Sequence, residues 1–275
     1  MDDRPVGMFD SGFGGLTVAR AVIDLLPGED LVYVGDTGRY PYGPRPLEEV
    51  RKFAHQITTS LVEDYGVKLV VVACNTASAA ALDELRYQFD VPVVGVINPG
   101  LRAAVSATRN GRVGVIGTVG TIGSGAYQRE MATVGLDEQV ALTCAACPGF
   151  VEFVEAGDTA SEQVHVLAER LLAPVRSEGV DTLLLGCTHY PFLARTIGDV
   201  MGREVVLVDS ADETAFEVRA ILERTGLERS AAGRPAGAVG THRWVSSGDV
   251  GHFRALGRFL LGPELDVEVE SRSWE

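Results

Sequence analysis

Positive charge is scarce in this sequence. Its 275 residues carry 24 Lys and Arg against 38 Asp and Glu, a net charge of −14. An acidic surface repels phosphate backbones and anionic lipid, so neither nucleic acid nor a membrane surface is a favoured partner. Long hydrophobic runs are also missing. The longest apolar stretches, such as Leu69 to Cys74, fall well short of the about 20 residues that cross a bilayer. The start, Met1-Asp2-Asp3-Arg4, is charged and no apolar segment follows. No secretory leader is therefore expected, and the expected compartment is the cytoplasm. There are only four cysteines, expected to be free thiols in that setting rather than disulfides. Nucleotide-binding loops are absent too. Gly12, Gly14 and Gly15 are not spaced as G-x-G-x-x-G, and no G-K-[ST] follows.

What is present reads as a globular α/β chain. Hydrophobic residues make up 46% and charged residues 23%, an ordinary balance for a packed protein. The length allows one large or two small domains. Short apolar runs recur at Val6–Phe9, Leu31–Val34, Leu69–Ala73, Val91–Val96, Val113–Ile116, Thr182–Leu185 and Val205–Val208. Near-continuous runs of this kind predict strands buried on both faces. Segments with helical spacing lie between them, including Leu47–Asp64, Ser78–Phe89 and Gln163–Ser177. The alternation predicts parallel sheets with right-handed crossovers. Ser230 to Gly240, rich in Gly, Ala and Pro, reads as a surface loop. Thr241–Ser247 reads as a further strand and Asp249–Leu261 as a closing helix. The polar end, Ser271 to Glu275, is expected to be disordered.

The sequence echoes itself. Val70-Val71-Val72-Ala73-Cys74-Asn75-Thr76 is matched by Leu183-Leu184-Leu185-Gly186-Cys187-Thr188-His189. A second pair is Val6-Gly7-Met8-Phe9-Asp10-Ser11-Gly12 and Val113-Gly114-Val115-Ile116-Gly117-Thr118-Val119-Gly120. Together they suggest two similar α/β halves, each giving one cysteine to a shared site at the carboxyl ends of its strands. The expected division is 1–97 plus 210–275 for the first domain and 98–209 for the second.

Most buried cysteines are inert. Cys74 and Cys187 differ because each ends a predicted strand and precedes a predicted helix. There the partial positive charge and free N–H groups favour thiolate. Asp10 and His189 are the expected helpers. A carboxylate beside a thiol raises the thiol pKa, so Asp10 suits a proton acceptor or orienter rather than an activator of thiolate. The bland alternative makes Asp10 a loop cap and His189 a turn residue. The Gly12–Gly15 turn is expected to bring backbone N–H groups to an anion such as a carboxylate. Ser11, Asn75, Thr76, Thr118, Thr121 and Thr188 add neutral donors at strand ends, although each alone is more often a helix cap. Cys144 and Cys147 form C-x-x-C. Structural zinc usually needs two tight ligand pairs, so no metal site is expected. A redox motif is disfavoured because the surroundings lack the expected strand-to-helix context.

Several stretches then resemble the glutamate racemases of bacterial cell-wall synthesis, in the aspartate/glutamate racemase superfamily. They are Phe9-Asp10-Ser11-Gly12-Phe13-Gly14-Gly15-Leu16-Thr17-Val18, Gly35-Asp36-Thr37, Tyr40-Pro41-Tyr42-Gly43, Ala73-Cys74-Asn75-Thr76-Ala77-Ser78, Gly117-Thr118-Val119-Gly120-Thr121 and Leu185-Gly186-Cys187-Thr188-His189-Tyr190-Pro191. Ser247-Gly248-Asp249 with Phe253 is similar to the family's tail. The resemblance implies two similar α/β domains with mostly parallel sheets and the active site in the cleft between them. It implies Cys74 and Cys187 as the two bases, no cofactor, and glutamate as the substrate, with D-glutamate supplied to peptidoglycan and hence to cell shape. Asp10 and His189 are implied as assisting groups. Asp10, Ser11, Pro41, Tyr42, Gly43, Asn75, Thr76, Thr118, Thr121, Thr188 and His189 are implied to bind substrate. A homodimer is also implied.

One stretch departs from the family pattern. In Cys147-Pro148-Gly149-Phe150-Val151-Glu152-Phe153-Val154-Glu155, Glu155 stands where the family has an active-site glutamate, and Glu152 replaces the usual proline. The resemblance also leaves two other functions open: racemisation of aspartate or a related amino acid, as in the same superfamily, and a protein-binding role restraining DNA gyrase, as reported for some members of the family.

Overall fold

The computed structural model describes residues 1–135, 139–230, 237–265 and 268–274, with 259, 260, 263 and 264 described by backbone alone. The chain divides into two compact units, Met1–Val96 with Ala211–Glu275, and Ile97–Ser210.

The first unit opens with β1 (Val6–Asp10), α1 (Leu16–Leu25), β2 (Leu31–Gly35), α2 (Leu47–Glu63), β3 (Leu69–Val72), α3 (Asn75–Gln88) and β4 (Val93–Gly95). The second unit comprises α4 (Ile97–Ala107), β5 (Arg112–Gly117), α5 (Val119–Gly123), α6 (Ala126–Thr133), β6 (Ala141–Ala146), α7 (Phe150–Glu155), α8 (Glu162–Ser177), β7 (Thr182–Gly186), a 3-10 turn at Tyr190–Leu193, α9 (Ala194–Met201) and β8 (Val206–Val208). The chain then completes the first unit with α10 (Ala211–Thr225), β9 (His242–Ser246), α11 (Val250–Leu261) and β10 (Val269–Ser271). Among the described residues all strand pairings are parallel, in the orders β10-β9-β2-β1-β3-β4 and β6-β5-β7-β8.

Side-chain alternation builds the first core. Val6, Met8, Tyr33, Leu69 and Val71 face one side, with Leu16, Val218 and Trp244. Phe9, Val32, Val34, Val70 and Val72 face the other, with Ile57, Leu61 and Leu85. Adjacent strand residues point to opposite faces, so a strand covered on both sides must be apolar throughout. The helices are amphipathic instead. In α2, Val50, Ala54, Ile57, Thr58 and Leu61 are buried, one stripe of a 3.6-residue period. Glu48 and Glu49 in its first turn complement the helix dipole.

Both sheets reverse direction about one strand. β1 lies between β2 and β3, and β5 lies between β6 and β7. At such a switch point the loops leaving the two central strands diverge and open a crevice at the strands' carboxyl ends. The register makes the two crevices equivalent. Phe9 pairs with Val72 in the first sheet, and Ile116 pairs with Leu185 in the second. Cys74 and Cys187 each follow two residues later, so they occupy the same position in two copies of one motif.

A buried ion pair sits at the opposite end of the first sheet. Lys68 is fully buried and donates to Glu29 Oε2 at 2.6 Å and to the Asp2 carbonyl at 2.7 Å. Replacing Glu29 with Ala strands that ammonium and is expected to destabilise the fold by about 3–5 kcal/mol. Urea unfolding checks this; a midpoint equal to that of the parent protein would contradict it.

Several sequence expectations are corrected at the ends of elements. β3 stops at Val72 and β4 spans only Val93–Gly95, shorter than the apolar runs around them. Asp249 is the N-cap of the closing helix, its carboxylate accepting from His252 N at 2.8 Å. The end of the chain is ordered through Trp274: β10 pairs with β9, and the Trp274 indole N–H donates to Asp36 Oδ1 at 2.8 Å. Glu275 lies outside the described residues, as does 231–236 of the expected Ser230–Gly240 loop.

Candidate active site

In the first unit the crevice is built around Asp10 and Cys74. Asp10 ends β1 and is 1% exposed. Its Oδ2 accepts from Gly12 N at 3.2 Å and Gly15 N at 3.0 Å. These N–H groups of the glycine-rich turn are therefore taken by the chain's own carboxylate, rather than left for a bound anion as the sequence suggested. The turn holds Asp10 rigidly beside the cysteine. Gly15 is required by crowding: a Cβ there would lie 2.6 Å from Asp10 Cβ and 2.9 Å from the Tyr33 hydroxyl. Gly15→Ala is expected to shift Asp10, costing about 1–3 kcal/mol of stability. Thermal denaturation checks it; an unchanged midpoint would refute the constraint.

Cys74 is the N-cap of α3 and buried. Its Sγ lies 3.8 Å from Ser11 Oγ. Burial pushes the Cys74 thiol well above its ordinary range, and the Asp10 carboxylate pushes it further. The Ser11 hydroxyl and the N–H groups of Ala77 and Ser11 oppose this and lose. The helix N-terminus thus does not make a thiolate here, because desolvation and a like charge outweigh it. Tyr33 and Tyr42 lie within electrostatic reach of the same sulfur, and burial pushes both hydroxyls well above their ordinary range. Tyr33 donates to the Gly12 carbonyl at 3.2 Å, bracing the turn from below. Sequence reading missed Tyr33 because it lies within an apolar strand run.

Tyr42 follows a cis Tyr40–Pro41 bond. It is buried and donates to Asp36 Oδ2. Pro41 and Gly43 flank it and are half-buried. Asn75 and Thr76 lie buried in the first turn of α3. Asp36 had only the Gly35-Asp36-Thr37 motif as its signal, yet it is fully buried at the centre of a network.

In the second unit, Cys187 follows β7 and precedes the 3-10 turn rather than a full α-helix. Its Sγ lies 3.9 Å from His189 Nδ1, and His189 Nε2 lies 3.1 Å from Glu155 Oε1. A carboxylate oxygen accepts, so Nε2 carries a proton toward Glu155 and Nδ1 is the nitrogen that faces the thiol. The result is a thiol–imidazole–carboxylate chain. Glu155, at the end of α7, joins it through His189, while Glu152 is exposed. Thr118 caps α5 by accepting from Thr121 N at 3.3 Å, and the two hydroxyls lie 2.9 Å apart. Thr118, Thr121 and Thr188 are all buried.

The C-x-x-C pair is corrected in context. Cys144 lies inside β6 and Cys147 follows that strand ahead of α7, so a strand-to-helix setting does exist. Both thiols are free. Burial pushes Cys147 up to about 12, with neighbouring Cys187 adding to the effect, and Cys144 to about 11. Among the described residues no three His, Cys, Asp or Glu side chains gather as a metal site, and no helix is long and apolar enough to cross a membrane.

Comparison with known proteins shows the family. The Asp/Glu/Hydantoin racemase family matches residues 16–218. Glutamate racemase of Acidothermus cellulolyticus is 54% identical over 96% of this chain and 98% of its own. The structure of glutamate racemase isoform RacE1 from Bacillus anthracis superposes with a TM-score of 0.89 at 38% identity, covering 100% of this chain and 98% of that one. Glutamate racemase from Francisella tularensis, solved in complex with D-glutamate, gives a TM-score of 0.87 at 30% identity, with coverage of 100% and 98%. The chain belongs to the Asp/Glu/Hydantoin racemase family and, within it, to the glutamate racemases.

Proposed function

We propose that the protein interconverts L- and D-glutamate without a cofactor, with Cys74 and Cys187 acting on opposite faces of the substrate α-carbon. The observation that carries this reading is the shared register of the two cysteines. Each follows the strand beside its sheet's switch point, and each has a proton-handling group next to it.

Racemisation removes a proton from one face of the α-carbon and delivers another to the opposite face. Two bases do this without turning the substrate over. One must start as thiolate and the other as thiol, and turnover exchanges those states. Burial and Asp10 make Cys74 the thiol member. For one enantiomer Cys187 acts as the thiolate, its proton passed to His189 Nδ1, and for the other enantiomer the two sulfurs exchange roles. Removal of the α-proton by the Cys187 sulfur puts negative charge on the substrate carbon and carboxylate, and the Cys74 thiol then delivers its proton to the other face. The Asp10 carboxylate orients Cys74 and, by its charge, favours return of its proton. Ser11, Pro41, Tyr42, Gly43, Asn75, Thr76, Thr118, Thr121, Thr188 and His189 contact the substrate. Their neutral N–H and O–H donors stabilise the growing carboxylate charge in a dry site.

The D-glutamate formed serves peptidoglycan synthesis. The first test is circular dichroism of the purified protein with L-glutamate and, separately, D-glutamate, with no cofactor added. Both solutions should decay to zero ellipticity. No change with either enantiomer would end this reading.

A further inference from the structure

Asp36 links four parts of the first unit. It follows β2 and is fully buried. Its Oδ2 accepts from Arg39 Nε at 2.7 Å and from the Tyr42 hydroxyl. Its Oδ1 accepts from Ser247 Oγ at 2.6 Å and Trp274 Nε1 at 2.8 Å. A buried carboxylate is costly unless its lone pairs are filled, and four donors fill these. Two of the donors belong to the segment running from Arg39 to Tyr42. The other two come from the turn after β9 and from the segment after β10.

Trp274 is held from several sides. Its ring lies 5.0 Å from the Arg39 guanidinium and 5.4 Å from that of Arg272. Arg39 in turn lies 4.1 Å over Phe53, which packs against Tyr42 with ring centroids 5.5 Å apart. Arg272 is fixed by its N–H to the Ser246 carbonyl at 2.9 Å and by its guanidinium to Asp64 at 2.6 Å. The indole therefore closes the stack Phe53–Arg39–Trp274 and reaches the carboxylate that Tyr42 also uses. Such a closed arrangement limits where the Tyr42 hydroxyl can settle. Trp274 lies outside the family-matched residues 16–218.

We infer that Trp274 is a positioning residue for the Tyr40–Gly43 segment, acting through Asp36 and Arg39. The inference rests on the reading of Pro41, Tyr42 and Gly43 as substrate contacts. Trp274 acts through Asp36 and Arg39 on a binding segment, so its loss should weaken binding of substrate and transition state alike. That raises KM and leaves kcat nearly unchanged.

The test uses the full chain with two conservative variants and their combination. Trp274→Phe keeps an aromatic ring and deletes the N–H donor. Tyr42→Phe deletes the other hydrogen bond to Asp36. Each single variant should raise KM for glutamate about tenfold, the scale of a lost hydrogen bond to a charged group, with kcat within about twofold. Because both act through one carboxylate, the double variant should raise KM by less than the product of the two. Far-UV circular dichroism confirms that each variant is folded. A Trp274→Phe protein with the parent KM, alongside a Tyr42→Phe protein with raised KM, overturns the role of Trp274 and leaves the substrate segment standing. Parent KM in both variants overturns the substrate reading of that segment and the inference with it. Effects that multiply fully in the double variant overturn the coupling through Asp36.

Discussion

Replacing Cys74 with Ala, or Cys187 with Ala, is expected to lower racemisation of both enantiomers by roughly four orders of magnitude, the upper range for losing a positioned proton donor or acceptor. Neither substitution should unfold the protein. Each removes one sulfur from a loop beyond a strand end, while the apolar residues of β3 and β7 stay in place. Loss in both directions is a strict requirement. The two enantiomers have equal free energy, so the equilibrium constant is one and kcat/KM must fall by the same factor for each. The variants still differ in what they can do. A protein with one sulfur left can remove and return the proton on a single face. In deuterium oxide each variant should therefore wash deuterium into one enantiomer without inverting it, and the two variants should select opposite enantiomers. Proton NMR of the α-position checks this. Near-parent racemisation by either variant would refute the two-base account, and so would exchange of the same enantiomer by both.

Asp10→Asn is expected to lower kcat/KM by about a hundredfold or more and also to change its pH dependence. The direction follows from the charge. The Cys74 thiol is pushed up by burial first and by the Asp10 carboxylate second. The active form carries one thiolate and one thiol, so activity falls at high pH when the remaining thiol, Cys74, loses its proton. Deleting the like charge makes that proton easier to lose. The alkaline limb of kcat/KM should move to lower pH in Asp10→Asn. A limb that stays in place, or moves to higher pH, would mean that Asp10 does not set the Cys74 proton affinity.

Much of this architecture was legible in the sequence because it is written locally. Apolar runs such as Val6–Phe9 and Thr182–Leu185 are strands because both of their faces are covered. The echo around Cys74 and Cys187 reflects a repeated strand–loop position that register then makes equivalent. Other features depend on contacts distant in sequence. Trp274 reaches Asp36 across 238 positions, and composition alone made that end look unanchored. β6 (Ala141–Ala146) was missed because it mixes small and polar residues and is only partly buried. The same omission hid the strand-to-helix context of Cys144 and Cys147. The glycine-rich turn was correctly placed after a strand, but its anion proved to be Asp10 itself. Nearest-neighbour chemistry at the site was partly visible. Cys187 and His189 are two residues apart, whereas Glu155 meets His189 from 34 residues away, and only the family resemblance pointed to it.

The central claim is that one sulfur takes the α-proton and a different sulfur delivers its replacement. The most direct measurement is to start the parent protein on L-glutamate in deuterium oxide, stop it early, and separate the two enantiomers. The account predicts deuterium at the α-carbon of the D-glutamate formed and hydrogen still in place on the recovered L-glutamate. Product that keeps the original hydrogen, or recovered substrate labelled as fast as product, would contradict it and point to a single base working both faces.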